Sequence, residues 1–181
     1  MSSPLRISVA KANEATAARL ADLGRQTFLE TFAAHNKPAD MDAFVAQVYG
    51  PGIQLAELQQ PRYTFLLAEM QGQLVGFAKL WRDSDLGLAS GERAAGRLEV
   101  KQLYVAEDWI GTGLGGALMR RILELAQAGA CTAVVLGVWE HNERARAFYQ
   151  RYGFREIGEV EFHLGQDVQR DLVLRKGLAG R

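Results

Sequence analysis

Apolar and polar residues alternate from Leu5 to Ala10, which predicts a short first strand. The period then lengthens to that of a helix reaching about Ala33: Ala17, Leu20, Leu23, Thr27 and Phe28 fall on one side, and Asn13 ahead of them suits an N-cap. Asp40 is placed to cap a second helix through Tyr49, which Gly50-Pro51-Gly52 stops, and a further short helix runs up to Gln60-Pro61. Tyr63 to Glu69 and Leu74 to Trp81 read as strands flanking a hairpin turn at Met70-Gln71-Gly72-Gln73. Asp83 to Gly96 is rich in Gly, Ser, Ala and charge, and predicts an exposed, mobile loop. A strand from Arg97 to Val105 follows, then a glycine-dense turn and a helix to about Ala128. Thr132 to Val138 is continuously apolar, as a strand covered on both faces should be. Asn142 opens a helix ending near Tyr152-Gly153, where Gly153 suits the left-handed position beyond a helix end. Phe154 to Leu164 and Val168 to Arg175 close the chain as a hairpin around Gly165-Gln166. Two strands, then βαβα, then two strands predict one mixed α/β domain built on a single sheet.

Composition narrows the function classes. The chain has 181 residues, 48% apolar and 23% charged, enough for one good core. Lys plus Arg equals Asp plus Glu at 21 each, so no global field argues for nucleic acid or membrane partners. Cys131 stands alone and reads as a small buried apolar residue at the start of a strand. His35, His141 and His163 lack ligand spacing, so no metal site is expected. With no apolar run of about 18 residues, the expected location is the cytoplasm.

The chemistry concentrates at Leu98 to Leu118. Gly111, Gly113, Gly115 and Gly116 let the backbone approach a ligand closely, and the free N–H groups of the following helix favour an anion. Strand, glycine turn and helix N-terminus together suit a pyrophosphate. Gly111-x-Gly113-x-x-Gly116 matches the dinucleotide-binding fingerprint literally, but Ala106 to Ile110 separate it from the strand. Glu140 also lies 24 residues past Gly116, where the fingerprint wants an acid about 20 residues on. A nucleotide-binding P-loop would need Gly-Lys-Ser/Thr, which is missing. A purely structural glycine turn stays open.

Two segments carry a resemblance. Leu103-Tyr104-Val105 followed by Ile110-Gly111-Thr112-Gly113-Leu114-Gly115 resembles motif A of the GNAT N-acetyltransferase superfamily, whose pattern is Arg/Gln-x-x-Gly-x-Gly/Ala. Asn142 to Phe154 resembles its motif B, at the family's spacing of one helix plus one strand. Ile110 departs from the family, standing where Arg or Gln is usual. The resemblance implies a single α/β domain over 1–181, with acceptor-side helices at about 13–60, an acetyl-CoA core at about 97–154 and a closing hairpin at about 154–176. Its sheet would hold about seven strands, with a splayed parallel pair, and helices would flank it.

The same resemblance implies acetyl-CoA as co-substrate and a primary amine as acceptor. Leu103, Tyr104 and Val105 would pair with the pantetheine arm, and Gly111, Thr112, Gly113, Leu114, Gly115 and Gly116 would hold the diphosphate. Asn142 would lie near the cofactor, and Tyr149 would touch it and protonate the leaving thiolate. Attack needs a neutral amine, and deprotonating one of pKa near 10.4 costs about 4–5 kcal/mol at neutral pH. Glu99 and Glu140, on or just after the splayed strands, are the candidate bases, each equally readable as a salt-bridged surface carboxylate.

Thr27 to Phe32 with Asn36 and Asp40-Met41, Gly137 to Glu140, and Phe162 to Asp171 are similar to bacterial spermidine/spermine acetyltransferases. Phe28, Phe32 and Trp139 would then pack a methylene chain, with Glu30 or Glu140 pairing a remote ammonium. Arg170 departs from the threonine usual in that hairpin and would repel a polycation if it faced the acceptor. Peptide or protein amine acetylation and a non-catalytic CoA-binding sensor are the alternatives. A homodimer is a further expectation, with Asp83 to Gly96 as a contact loop.

Overall fold

The structure is a computed structural model describing residues 5–179; residues 1–4 and 180–181 of the domain expected over 1–181 lie outside the described residues. The elements run β1 (Arg6–Val9), α1 (Glu14–Phe32), α2 (Pro38–Val48), α3 (Pro51–Leu58), β2 (Tyr63–Met70), β3 (Gln73–Arg82), β4 (Arg97–Val105), α4 (Leu114–Ala128), β5 (Ala133–Trp139), α5 (Glu143–Arg151), β6 (Arg155–Leu164) and β7 (Asp167–Gly177). One-turn 3₁₀ segments at Ala33–His35 and Glu107–Trp109 join α1 to α2 and β4 to the glycine turn. The seven strands form one sheet in the order β1-β2-β3-β4-β5-β7-β6. Contacts group the chain into two compact units: the stretch up to Lys79 with Gln102–Arg121, and Leu80–Lys101 with the stretch from Ile122 onward.

In the first unit α1 starts where the cap predicts, with Asn13 Oδ1 accepting the Thr16 N–H at 2.8 Å. Its apolar stripe is buried, and Leu20 and Leu23 join Phe65, Leu67, Leu74 and Phe77 in one core cluster. Gly24 makes room for a neighbour: a Cβ there would lie 2.6 Å from the Tyr49 ring, itself packed 5.8 Å from Phe28. Gly24→Ala gains about 1 kcal/mol of helix propensity. Overpacking at a filled site costs about 1–3 kcal/mol. The variant is therefore expected to be less stable in urea unfolding, and stability equal to the parent would show that the Tyr49 ring moves aside.

The start of α2 corrects the sequence reading. Lys37 is the N-cap residue and Pro38 the first helical one, so Asp40 sits inside the first turn rather than capping it. Proline's fixed φ is pre-set for that first position, and its missing N–H is not needed there. The Gly50-Pro51 break repeats the device, with Pro51 opening α3. Between β2 and β3, Gln71 at φ 51° and Gly72 at φ 80° supply the two left-handed residues of a tight hairpin.

In the second unit β4 and β5 run parallel and pair only as Arg97↔Ala133, Leu98↔Val134 and Glu99↔Val135. The rest of β5 pairs with β7, Leu136↔Leu174 through Trp139↔Asp171, and β7 pairs with β6 as a hairpin. Directly opposite residues share a face of a sheet. Leu98, Val134, Leu136, Val138, Leu172 and Leu174 are therefore one buried face, and Glu99, Gly137, Trp139, Asp171 and Arg175 belong to the other. Gly153, at φ 82°, ends α5 as expected.

The segment Asp83–Gly96 is a mostly exposed loop, as its composition suggests, but its start is anchored to the sheet. Ser84 is fully buried, its hydroxyl donating to Glu99 Oε2 at 2.7 Å. Arg97 Nη2 donates to Leu86 O at 2.6 Å, and Asp83 Oδ1 accepts the Gly96 N–H at 2.9 Å. Gly87 is pressed so closely on Val173 that an added Cβ would lie 2.6 Å from its methyl. The loop is strapped onto the sheet face that bears Glu99 and Val173. Among the described residues, no helix is long and apolar enough to cross a membrane.

Candidate active site

In the first unit β4 ends at Val105, one 3₁₀ turn intervenes, and Gly111 and Gly113 bend the chain at φ 82° and 92°. Such angles strain any residue that carries a Cβ. Among the described residues, chain neighbours aside, nothing lies within 4 Å of where a Cβ would stand at either glycine, so the outer side of the turn is open. The first bond inside α4 runs from the Ala117 N–H to Gly113 O at 3.0 Å. The N–H groups of Gly113, Leu114, Gly115 and Gly116 thus precede the helix's own ladder and need an outside acceptor. Thr112 is spent on the turn, its hydroxyl donating to Trp109 O at 2.7 Å. Ile110, replacing a polar side chain, is exposed beside it.

Packing fixes this turn against the sheet. Gly76 in β3 lets β4 and α4 close in: a Cβ there would meet Tyr104 O at 3.0 Å and Leu114 Cδ2 at 3.2 Å. The Ala106 N–H donates to Val75 O at 2.9 Å, tying the strand end down. The open glycine bend and its orphan amides have the shape and charge that a diphosphate requires.

Of the acceptor-side residues named from the sequence in this unit, Phe28 is in the core, Phe32 is half-buried and Glu30 is exposed. Phe28 is 3% exposed and stacks on Phe44 at 4.6 Å and against Phe32 at 4.8 Å. Glu30 lies on the surface, accepting from Gln26 Nε2 at 2.8 Å. No local pattern in the chain points to the polar group next to them. The hydroxyls of Tyr49 and Tyr104 are 3.2 Å apart, and Gln102 Nε2 donates to the Tyr49 oxygen at 3.1 Å. Burial, then the neighbouring Tyr104, raises the Tyr49 phenol far above its ordinary value, so it stays protonated. Through Tyr49, helix α1 is connected to the β4 residues assigned to the pantetheine.

In the second unit Asn142 Oδ1 accepts the Ala145 N–H at 3.1 Å and caps α5, leaving its amide NH₂ as the free donor. Tyr149 is 9% exposed, its ring edge-on to Phe148 at 5.3 Å and Phe154 at 5.7 Å. Trp139, at the end of β5, packs edge-on to His141 at 5.2 Å.

Both candidate bases are held by partners. Glu99 accepts from Ser84 at one oxygen and pairs with Lys101 Nζ at 3.2 Å through the other. Glu140 Oε2 takes Arg170 Nη2 at 2.5 Å and Nε at 3.0 Å, while Arg170 Nη1 reaches Glu159 at 3.0 Å. The Arg170 hydrogen bonds hold the Glu140 carboxyl below the usual range, which makes it a weaker base. Arg170 lies between two carboxylates, Glu140 just after β5 and Glu159 on β6, so its charge is largely met locally. A different carboxylate, Asp171, has no hydrogen bond or ion pair among the described residues. Burial pushes it up to about 6. Gly137, an exposed break in an otherwise buried strand and set across from β7, was the sequence signal for it.

A mixed sheet opening at one parallel pair, with a glycine bend feeding a helix at the strand end, defines the class of N-acetyltransferase folds. The chain belongs to the acetyltransferase (GNAT) family, whose profile matches residues 29–154. An uncharacterized N-acetyltransferase of Lactobacillus delbrueckii subsp. lactis is 32% identical over 157 residues, covering 86% of this chain and 88% of that protein. The spermine/spermidine N(1)-acetyltransferase of Bacillus subtilis is 31% identical over 96 residues, 51% of this chain and 60% of its own. In fold the chain resembles the PaiA N-acetyltransferase of Thermoplasma acidophilum, solved in complex with coenzyme A: TM-score 0.76, 18% identity, 96% of this chain and 99% of that one.

Proposed function

We propose that this N-acetyltransferase transfers an acetyl group from acetyl-CoA to a small primary amine by direct attack. The observation that carries the reading is the open glycine bend at Gly111 and Gly113, with four amides ahead of the helical ladder. Acetyl-CoA, when bound, supplies an activated acyl thioester. The turn at Gly111 to Gly116 holds its diphosphate, chiefly through the N–H groups of Gly113 to Gly116, which explains how Ile110 is tolerated. Leu103, Tyr104 and Val105 offer the backbone of an open strand end to the pantetheine, and one N–H there polarises the acyl carbonyl. A positioned donor of this kind is worth about 3–4 kcal/mol. Tyr149 protonates the departing sulfur.

A polyamine is the first acceptor to test. The likeness to the Bacillus subtilis polyamine enzyme spans half of the chain, and the compensation of Arg170 by Glu140 and Glu159 lessens its repulsion of a polycation. The test is a panel of spermidine, spermine, small monoamines and peptides with free α-amines, read by release of free thiol from acetyl-CoA. Thiol release with a small amine and none with peptides is expected. Preference for peptides would reassign the acceptor. Calorimetric binding of acetyl-CoA with no thiol release from any amine would identify a sensor instead.

A further inference from the structure

In the second unit β5 is buried from Ala133 to Leu136 and again at Val138, yet Gly137 between them is exposed. Its neighbour is Asp171: a Cβ built on Gly137 would sit in ordinary van der Waals contact, 3.5 Å from the Asp171 Oδ2 and 3.9 Å from its Cβ. The register explains the meeting, since Asp171 stands opposite Trp139 on β5, one pleat from Gly137 on the same face. The β4–β5 ladder has already ended at Glu99↔Val135, so this edge of β5 has no β4 partner beside Gly137. A half-buried carboxylate therefore lies against Gly137, two residues beyond the end of the β4–β5 ladder, with neither a hydrogen bond nor an ion pair.

We infer that Asp171 is the general base of the acetyl transfer, taking the proton of the acceptor ammonium directly or through one water. The inference rests on the acetyltransferase reading above. The acceptor nitrogen enters with three protons and leaves with one. Asp171 accepts the first and later returns it to solvent. As the C–N bond forms and the C–S bond breaks, the sulfur gains a proton from Tyr149, and the second nitrogen proton passes through water to the Tyr149 phenolate and restores it. Glu99 and Glu140 are poorer candidates because Ser84, Lys101 and Arg170 already take their lone pairs.

The surroundings leave Asp171 free to act. On its own face, Arg175 lies two pleats along β7, and Glu99 with Lys101 lies on β4. β5 presents Gly137 and Trp139 there, β6 presents Val160, and Asp85 in the covering loop is exposed. Glu140, Arg170 and Glu159 are bonded to one another. Desolvation thus dominates, and a carboxyl near 6 is ionised at neutral pH yet basic enough to take a proton.

The test compares the intact enzyme with Asp171→Asn across pH, using whichever amine the panel shows to be acetylated. For the parent, kcat/KM is expected to rise with a limb centred near pH 6. In the variant that limb disappears and kcat drops by about 10²–10⁴. KM for acetyl-CoA stays the same. An acceptor of low basicity, already neutral at pH 7, narrows the gap between the two proteins, which a merely structural role would not do. Burying the ionised carboxylate costs stability above pH 6, a cost that disappears as it protonates toward its ordinary value. Asp171→Asn should therefore melt higher than the parent at pH 8 and equally at pH 4. A parent profile lacking the limb near pH 6, or a variant as active as the parent, overturns the proposal. A parent that releases no thiol with any amine overturns the acetyltransferase reading as well.

Discussion

Tyr149→Phe is expected to lower turnover by about 10²–10⁴, while the affinity for acetyl-CoA changes less than about threefold. The substitution removes one oxygen and keeps the ring, and it is the ring that packs edge-on to Phe148 and Phe154. Helix α5 is independently held at both ends, by the Asn142 cap and by Gly153 in the left-handed conformation. The ring packing and both helix ends therefore stay in place, and the leaving sulfur, which departs as a thiolate unless a proton is delivered, feels the loss of the hydroxyl. Steady-state thiol release gives kcat, and calorimetry with coenzyme A gives the affinity. A variant that turns over like the parent removes Tyr149 from the proton path. A variant that loses affinity in proportion would make the hydroxyl a binding group.

What could be read from the chain follows from how local each signal is. Asn13 before an apolar stripe, the Gln71-Gly72 pair and Gly153 act within one turn of themselves, and each element begins or ends where they place it. Pro38 was equally local. At the start of α2 a proline at the first helical position outweighs an acidic residue two further on. The loop at Asp83–Gly96 is exposed over most of its length, and what its composition could not reveal is its anchor, Ser84, which is buried by a partner fifteen residues away.

The site divides in the same way. The glycine bend could be read because its strand, turn and helix are contiguous. Phe28 could equally be substrate box or core, since a helix stripe looks the same either way, and the structure packs it among Phe32, Phe44 and Tyr49. Glu140 was a plausible base until a guanidinium thirty residues on was found against it. Asp171 went unnoticed because its isolation is created by the β5–β7 register, which forms only when the sheet closes.

Gly113→Val is expected to weaken coenzyme A binding at least about 100-fold, roughly 2.7 kcal/mol, with a melting temperature only a few degrees lower. The angle at Gly113, φ 92°, is one a β-branched residue adopts only under strain of about 1–3 kcal/mol. Strain alone cannot be the whole effect, and Gly72 provides the control. It too has a positive φ, 80°, with nothing within 4 Å of its missing Cβ, but it lies in the β2–β3 hairpin. Gly72→Val should lose comparable stability and bind coenzyme A like the parent. The difference between the two variants isolates what the bend does for the ligand. At Gly113 a side chain would occupy the open side of the turn and rotate the amides that precede the Ala117 bond, so that both shape and donors are lost together. Calorimetry on the pair decides the matter. If Gly113→Val binds coenzyme A as tightly as Gly72→Val, those amides face the protein or water rather than a diphosphate, and the bend is a helix-starting turn alone.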